Sequence, residues 1–162
     1  MRKRLIGTLL CSAFSLVGAM EFAHAGVVGR YECNIVGTAS QDPIGDRDGH
    51  QLSSFQFSCL GVEGLLKGAV YTAVGISEWD GPRGTQLLTG GVHRAAGGLA
   101  VTQMLEGAGS IIAKDGKPVG WETHGKSVFK FASGSLAALS GKTVSYTSQL
   151  TGLNRFSIEL ND

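Results

Sequence analysis

The sequence predicts an all-β domain: an antiparallel barrel of about eight strands, with a β-sandwich as the alternative. Three observations predict it. Apolar and polar residues alternate with a period of two in run after run. Glycine is abundant, at 25 residues against three prolines, and is spread through apolar stretches where a helix would lose about 1 kcal/mol per glycine relative to alanine. Clusters of turn-forming residues separate the runs. Closing the sheet on itself removes exposed strand edges, which favours the barrel over the sandwich.

The chain opens with Arg2, Lys3 and Arg4, then an uncharged and mainly apolar run from Leu5 to Met20, then Ala23-His24-Ala25. A positive start, a short apolar run and a small-x-small site predict a cleavable signal peptide over 1–25, with Gly26 as the new N-terminus and one domain over 26–162. The run is too short for a membrane span, which needs roughly 20 apolar residues. Cys11 lies within the run behind Leu9-Leu10, not after it behind small residues, so lipid attachment is not expected. The expected location is the periplasm or the outside of the cell.

Removing the leader takes three of the 14 basic and one of the 13 acidic side chains, which leaves the mature chain near −1. No Lys/Arg run survives, so the electrostatic footprint of a nucleic-acid binder is missing. No second long apolar segment predicts a membrane span. Two cysteines remain, Cys33 and Cys59. An even count in an exported chain predicts a disulfide between them, and no Cys-x-x-Cys spacing points to a metal or redox pair.

The strands are expected at 28–37, 52–60, 67–78, 85–95, 98–107, 118–131, 142–150 and 153–160. Tyr31, Cys33 and Ile35 share one face of the first; Phe55, Phe57 and Cys59 share one face of the second. Both cysteines therefore sit in apolar rows, which places the disulfide between two strands near the core. Val70, Thr72, Val74 and Ile76 alternate with Ala69, Tyr71 and Ala73, and Leu99, Val101, Gln103 and Leu105 with Ala100, Thr102 and Met104. Val144, Tyr146 and Ser148 form one row, and Phe156, Ile158 and Leu160 another. Asp115-Gly116 is a strong hairpin signal. Asp42 to Gly49 and Asp80 to Gly84 read as loops, and Gly90-Gly91 and Gly97-Gly98 as punctuation around Val92 to Ala96. Only Ser135 to Leu139 has a helical composition, about one turn long.

Two stretches resemble the small eight-stranded barrels of the allene oxide cyclase and dirigent type and related bacterial families. One is Ala96-Gly97-Gly98-Leu99-Ala100-Val101-Thr102-Gln103 with Glu106-Gly107. The other is Phe131-Ala132-Ser133-Gly134-Ser135-Leu136-Ala137-Ala138-Leu139-Ser140-Gly141. The resemblance spans roughly residues 64 to 160 and rests on glycine and small-residue patterns. It implies a barrel with a lumen for an apolar ligand, in a superfamily where some members steer cyclisation or coupling of a bound intermediate. It carries over no site residue.

Candidate ligand contacts are Glu78, Trp79, Asp80, His93, Trp121, Glu122 and His124. Glu78-Trp79-Asp80 ends a strand and opens a loop, where two carboxylates beside an indole could bind a polar ligand or do acid–base work; the plainer reading is a Trp closing a barrel end and Asp80 capping the turn. In a strand, Glu122 and His124 share a face opposite Trp121, as a base and partner or simply as solvated side chains. His50, His93 and His124 lack metal-ligand spacing, so no metal and no cofactor are expected. Asp46-Arg47-Asp48-Gly49 lacks the full calcium-loop pattern and reads as a solvated turn. No Gly-x-Ser-x-Gly elbow or phosphate loop is present.

Three functions follow from these readings. The first is an exported barrel that binds a small, partly apolar molecule, with isomerase- or cyclase-type chemistry as an extension. The second is a non-catalytic structural or interaction module of the cell envelope, its barrel filled by its own side chains. The third is a hydrolase or metal enzyme, which requires His93 and His124 to converge with a carboxylate. A void of roughly 300 Å³ or more would favour the first; an interior filled by Tyr31, Phe55, Phe57, Tyr71, Phe129 and Tyr146 would favour the second.

Overall fold

A computed structural model describes residues 26–162, which form a closed barrel of eight antiparallel strands. The predicted signal peptide over 1–25, with Cys11, lies outside the described residues. The strands are β1 (Val27–Pro43), β2 (His50–Gly64), β3 (Val70–Asp80), β4 (Arg83–Ala95), β5 (Gly98–Lys114), β6 (Lys117–Gly134), β7 (Thr143–Gly152) and β8 (Arg155–Asn161). Each pairs with the next, and β8 closes back on β1. The sandwich alternative is thereby set aside.

Several strands run beyond the ends that alternation alone marked. β1 continues past Gly37 after a register shift between Val36 and Ser40, so alternation breaks there while pairing with β2 resumes. The loop expected over 42–49 shortens accordingly. β5 and β6 extend until they meet at Asp115-Gly116, whose φ values of 53° and 73° are those of the tight hairpin turn this dipeptide favours. Gly90-Gly91 lies within β4, inside the strand expected over 85–95, and makes no turn. A Cβ on Gly91 would press into the Thr72 carbonyl and Ala73 of β3, so the residue permits a close backbone approach within the sheet. The one helical turn is a 3-10 turn at Ala137–Leu139.

Cys33 and Cys59 face each other across the β1–β2 pair and are bonded, both nearly fully buried. In β3 and β5 the more aliphatic row faces outward. Tyr71, Ala73, Ala100, Thr102 and Met104 are buried, whereas Val70, Val74 and Leu105 are exposed on the outer wall. The interior of an eight-stranded barrel is narrow, and its side chains are chosen by volume before hydropathy.

The two ends differ. One is sealed by Leu66 from the β2–β3 turn, which packs on Gly29, and by Leu136 and Leu139 around the 3-10 turn, above buried Val28, Ala100, Phe129 and Val144. Backbone hydrogen bonds hold these covers down. The Leu65 N–H donates to the Val28 carbonyl at 2.9 Å, the Ser135 N–H to Gly97 at 3.0 Å and the Gly141 N–H to Phe129 at 2.7 Å. The opposite end, where β1 meets β2 and β3 meets β4, is open.

Candidate ligand-binding cavity

A cavity of about 430 Å³ runs from the open end toward the sealed one. Gln41, Gly49, Gln51, Gly81, Ile111 and Trp121 surround its mouth, and Tyr31, Tyr71, His93 and Thr102 form its floor. The void exists because the aromatic side chains lie against the wall over glycines. A Cβ on Gly84 or Gly109 would come within 2.8 or 3.0 Å of the Trp79 indole, and one on Gly75 within 3.1 Å of the Phe55 ring. The Trp79 Nε1–H donates to Ser77 Oγ at 2.8 Å, which fixes the indole against the wall.

One side of the cavity is aromatic. Phe57 and Phe156 meet edge to face at 5.2 Å, Phe55 meets Phe156 in the same way at 6.2 Å, and Trp121 lies 5.5 Å from Phe156. The remaining lining includes Ser53, Ser77, Thr89, Thr123, Ser127 and Ser148, small residues that leave space and offer hydroxyls. Thr123 and Ser148 already share a hydrogen bond of 2.7 Å between β6 and β7. Among the described residues, no Asp, Glu, Lys or Arg lines the cavity.

The floor is a packed polar cluster. The His93 and Tyr71 rings stack at 3.9 Å with an interplanar angle of 3°. Tyr31 Oη lies 2.7 Å from His93 Nδ1, His93 Nε2 lies 2.9 Å from Thr102 Oγ1, and the Thr102 hydroxyl donates to Tyr71 Oη at 3.1 Å. His93 is 1% exposed. Burial without a carboxylate partner pushes its pKa down to about 3, so the imidazole is neutral at physiological pH. Burial likewise raises the phenols of Tyr31 and Tyr71 and pushes Tyr146 up to about 12. The floor is therefore polar but uncharged.

Of the seven side chains singled out in the sequence, the structure brings Trp79, His93 and Trp121 to this cavity. Glu78, Asp80, Glu122 and His124 do not line it, because each neighbours an inward residue along its strand and so points the other way. Glu122 accepts a hydrogen bond from Ser110 Oγ at 3.1 Å, and His124 is exposed on the outer face of β6. His93 and His124 thus face opposite sides of the wall, which removes the geometry a hydrolase or metal enzyme needed. Among the described residues, no group of three or more His, Cys, Asp or Glu is placed to hold a metal ion.

Glu78 and Asp80 instead belong to a clasp on the outer rim. His50, 6% exposed, contacts Asp46 through Nδ1 and Glu78 through Nε2, the latter at 2.6 Å. Both ring nitrogens meet carboxylates, so the doubly protonated ring is favoured, and its pKa is raised by Asp46 first and Glu78 second. Arg47 donates to Asp80 Oδ2 at 2.8 Å, which holds the Asp80 carboxyl below its ordinary value. The Asp46–Gly49 segment, expected to be a solvated turn, is tied to the β3 end by these contacts.

Tyr31, Tyr71, Thr102 and His50 were not singled out as site residues. The first three sit in alternating rows indistinguishable from core, and His50 reaches its partners only through cross-strand pairing. No family model matches the chain, and no curated protein or solved structure matches it. No described helix is long and apolar enough to cross a membrane.

Proposed function

We propose that this protein is an exported barrel that binds one small, partly apolar molecule in its lumen. The cavity carries this reading: about 430 Å³, aromatic on one side, open at one end and, among the described residues, lined by no carboxylate, ammonium or guanidinium. Pockets of roughly 300–1,000 Å³ with apolar walls and a few convergent polar groups are the usual form of small-molecule sites. Tyr31, Phe55, Phe57, Tyr71 and Tyr146 line the void without filling it, which weighs against the reading as a space-filled envelope module. The bonded Cys33–Cys59 pair is consistent with an oxidising compartment, which supports export. Isomerase- or cyclase-type chemistry fits the same enclosure, because such a reaction needs no co-reactant beyond the enclosed molecule. The kinship to allene oxide cyclase-type barrels is part of the same proposal.

The chain's two tryptophans, Trp79 and Trp121, both line the cavity and report its occupancy. Titration with the uncharged dye N-phenyl-1-naphthylamine should quench their emission saturably at one dye per chain. Ser53→Phe, which adds a ring to an inward wall position, should weaken that binding at least tenfold while the fold is retained. Quenching that never saturates, or that Ser53→Phe leaves unchanged, would count against a lumenal site.

A further inference from the structure

We infer that the cavity floor selects an uncharged ligand bearing a hydrogen-bond acceptor, such as a ketone, ether or ester oxygen, and that the Tyr71 hydroxyl donates to it. This rests on the lumenal-site reading above and specifies the chemistry of its deep end.

The inference follows from counting protons along the floor. A threonine hydroxyl has one proton, and Thr102 gives it to Tyr71 Oη. Thr102 Oγ1 can then only accept from His93 Nε2, 2.9 Å away, so Nε2 carries the imidazole proton. A neutral imidazole has one N–H, which leaves Nδ1 as an acceptor, and the Tyr31 hydroxyl 2.7 Å away must donate to it. The chain of donors therefore runs from Tyr31 through His93 and Thr102 to Tyr71, and every proton is used except the last. Tyr71 Oη accepts from Thr102 and makes no other side-chain hydrogen bond, so its own O–H remains free beside the cavity its ring lines.

The direction of this chain excludes other ligand classes. A cation would meet no carboxylate among the lining residues. A carboxylate at the floor would meet one free phenol O–H and no cation among the lining residues, and would lose its hydration against aromatic walls. A neutral acceptor asks for one donor, and at the floor it finds the Tyr71 O–H. Donation into Tyr71 Oη from Thr102 polarises the phenol and strengthens the bond it gives.

The test compares molecules of one shape: 2-acetylnaphthalene, 2-ethylnaphthalene and 2-naphthoate, each competing with N-phenyl-1-naphthylamine for the oxidised protein. The ketone should displace the dye about tenfold more tightly than the hydrocarbon, the worth of one buried hydrogen bond, and the carboxylate should bind more weakly than either. Tyr71→Phe should erase the ketone's advantage and leave the hydrocarbon's affinity near its original value, which also shows that the cavity persists. An independent reading on the unaltered protein is the infrared carbonyl stretch of bound 2-acetylnaphthalene, expected at lower wavenumber than in hexane. An unshifted stretch, naphthoate binding as tightly as the ketone, or loss of the ketone's advantage in Tyr31→Phe but not in Tyr71→Phe would overturn the inference. Failure of the dye itself to bind would instead overturn the lumenal-site reading.

Discussion

His93 and His50 respond to pH in opposite senses, because one is buried with neutral partners and the other lies between two carboxylates. The folded pKa of His93, about 3, lies below its ordinary value of 6.5. Below pH 6.5 the unfolded chain binds a proton that the folded chain refuses. The associated stability is complete above 6.5 and drains away as pH falls toward 3, by an amount on the order of a few kcal/mol. His50 is the reverse: its folded pKa is raised, so its contribution is complete below 6.5 and is lost as pH rises through the raised value. Thermal unfolding across pH should show both slopes. His93→Gln should flatten the acid side, and His50→Gln the side above 6.5. Tyr31→Phe should cost about 1–3 kcal/mol in urea unfolding, because it strips the buried His93 Nδ1 of its donor. At this scale the sequence was only partly informative. Trp79, His93 and Trp121 were legible because large or titratable residues stand out among small ones. Tyr71 and Thr102 were not, because their roles arise from which strand lies beside which.

The strands themselves were legible, since alternation and turn chemistry are local. Asp115-Gly116 marked its hairpin because two successive positive φ values suit few other residue pairs. Gly90-Gly91 was ambiguous for an equally physical reason: a glycine that allows close strand approach looks the same in sequence as one that allows a turn. The two kinds separate on substitution. Gly91→Ala should destabilise by about 1–3 kcal/mol, because its methyl would meet β3 backbone that cannot move aside. Gly90, beside it, differs in what it faces: the Thr102 carbonyl of β5 lies 2.9 Å from its would-be Cβ. Chemical denaturation of the Gly91 variant, with the dye affinity as a second readout, would tell a strained strand from a reshaped cavity. The inward assignment of β5 was likewise hidden, since its more apolar row faces solvent.

For the molecule as a whole, closure into a barrel was legible from strand count and spacing, whereas the lumen was not. Small inward residues permit either tight packing or a void, and only the way Trp79, Phe55 and Tyr146 lie over glycines decides for the void. The disulfide joins residues 26 apart. Its removal in a Cys33→Ser, Cys59→Ser double variant should cost about 3 kcal/mol, seen as a lower Tm that matches the unaltered protein in reductant. Seven of the eight seams in the wall join strands adjacent in the chain. The eighth joins β1 to β8, pairing Gly29 with Leu160 and Cys33 with Phe156. The chamber cannot be assembled piecemeal, because its last wall waits on the C-terminal strand. Loop-closure entropy makes this long-range pairing of β1 with β8 the expected slow step, after local hairpins such as the cross-linked β1–β2 pair. Dye capture would thus time the completion of the ring, and should lag the appearance of β structure during refolding.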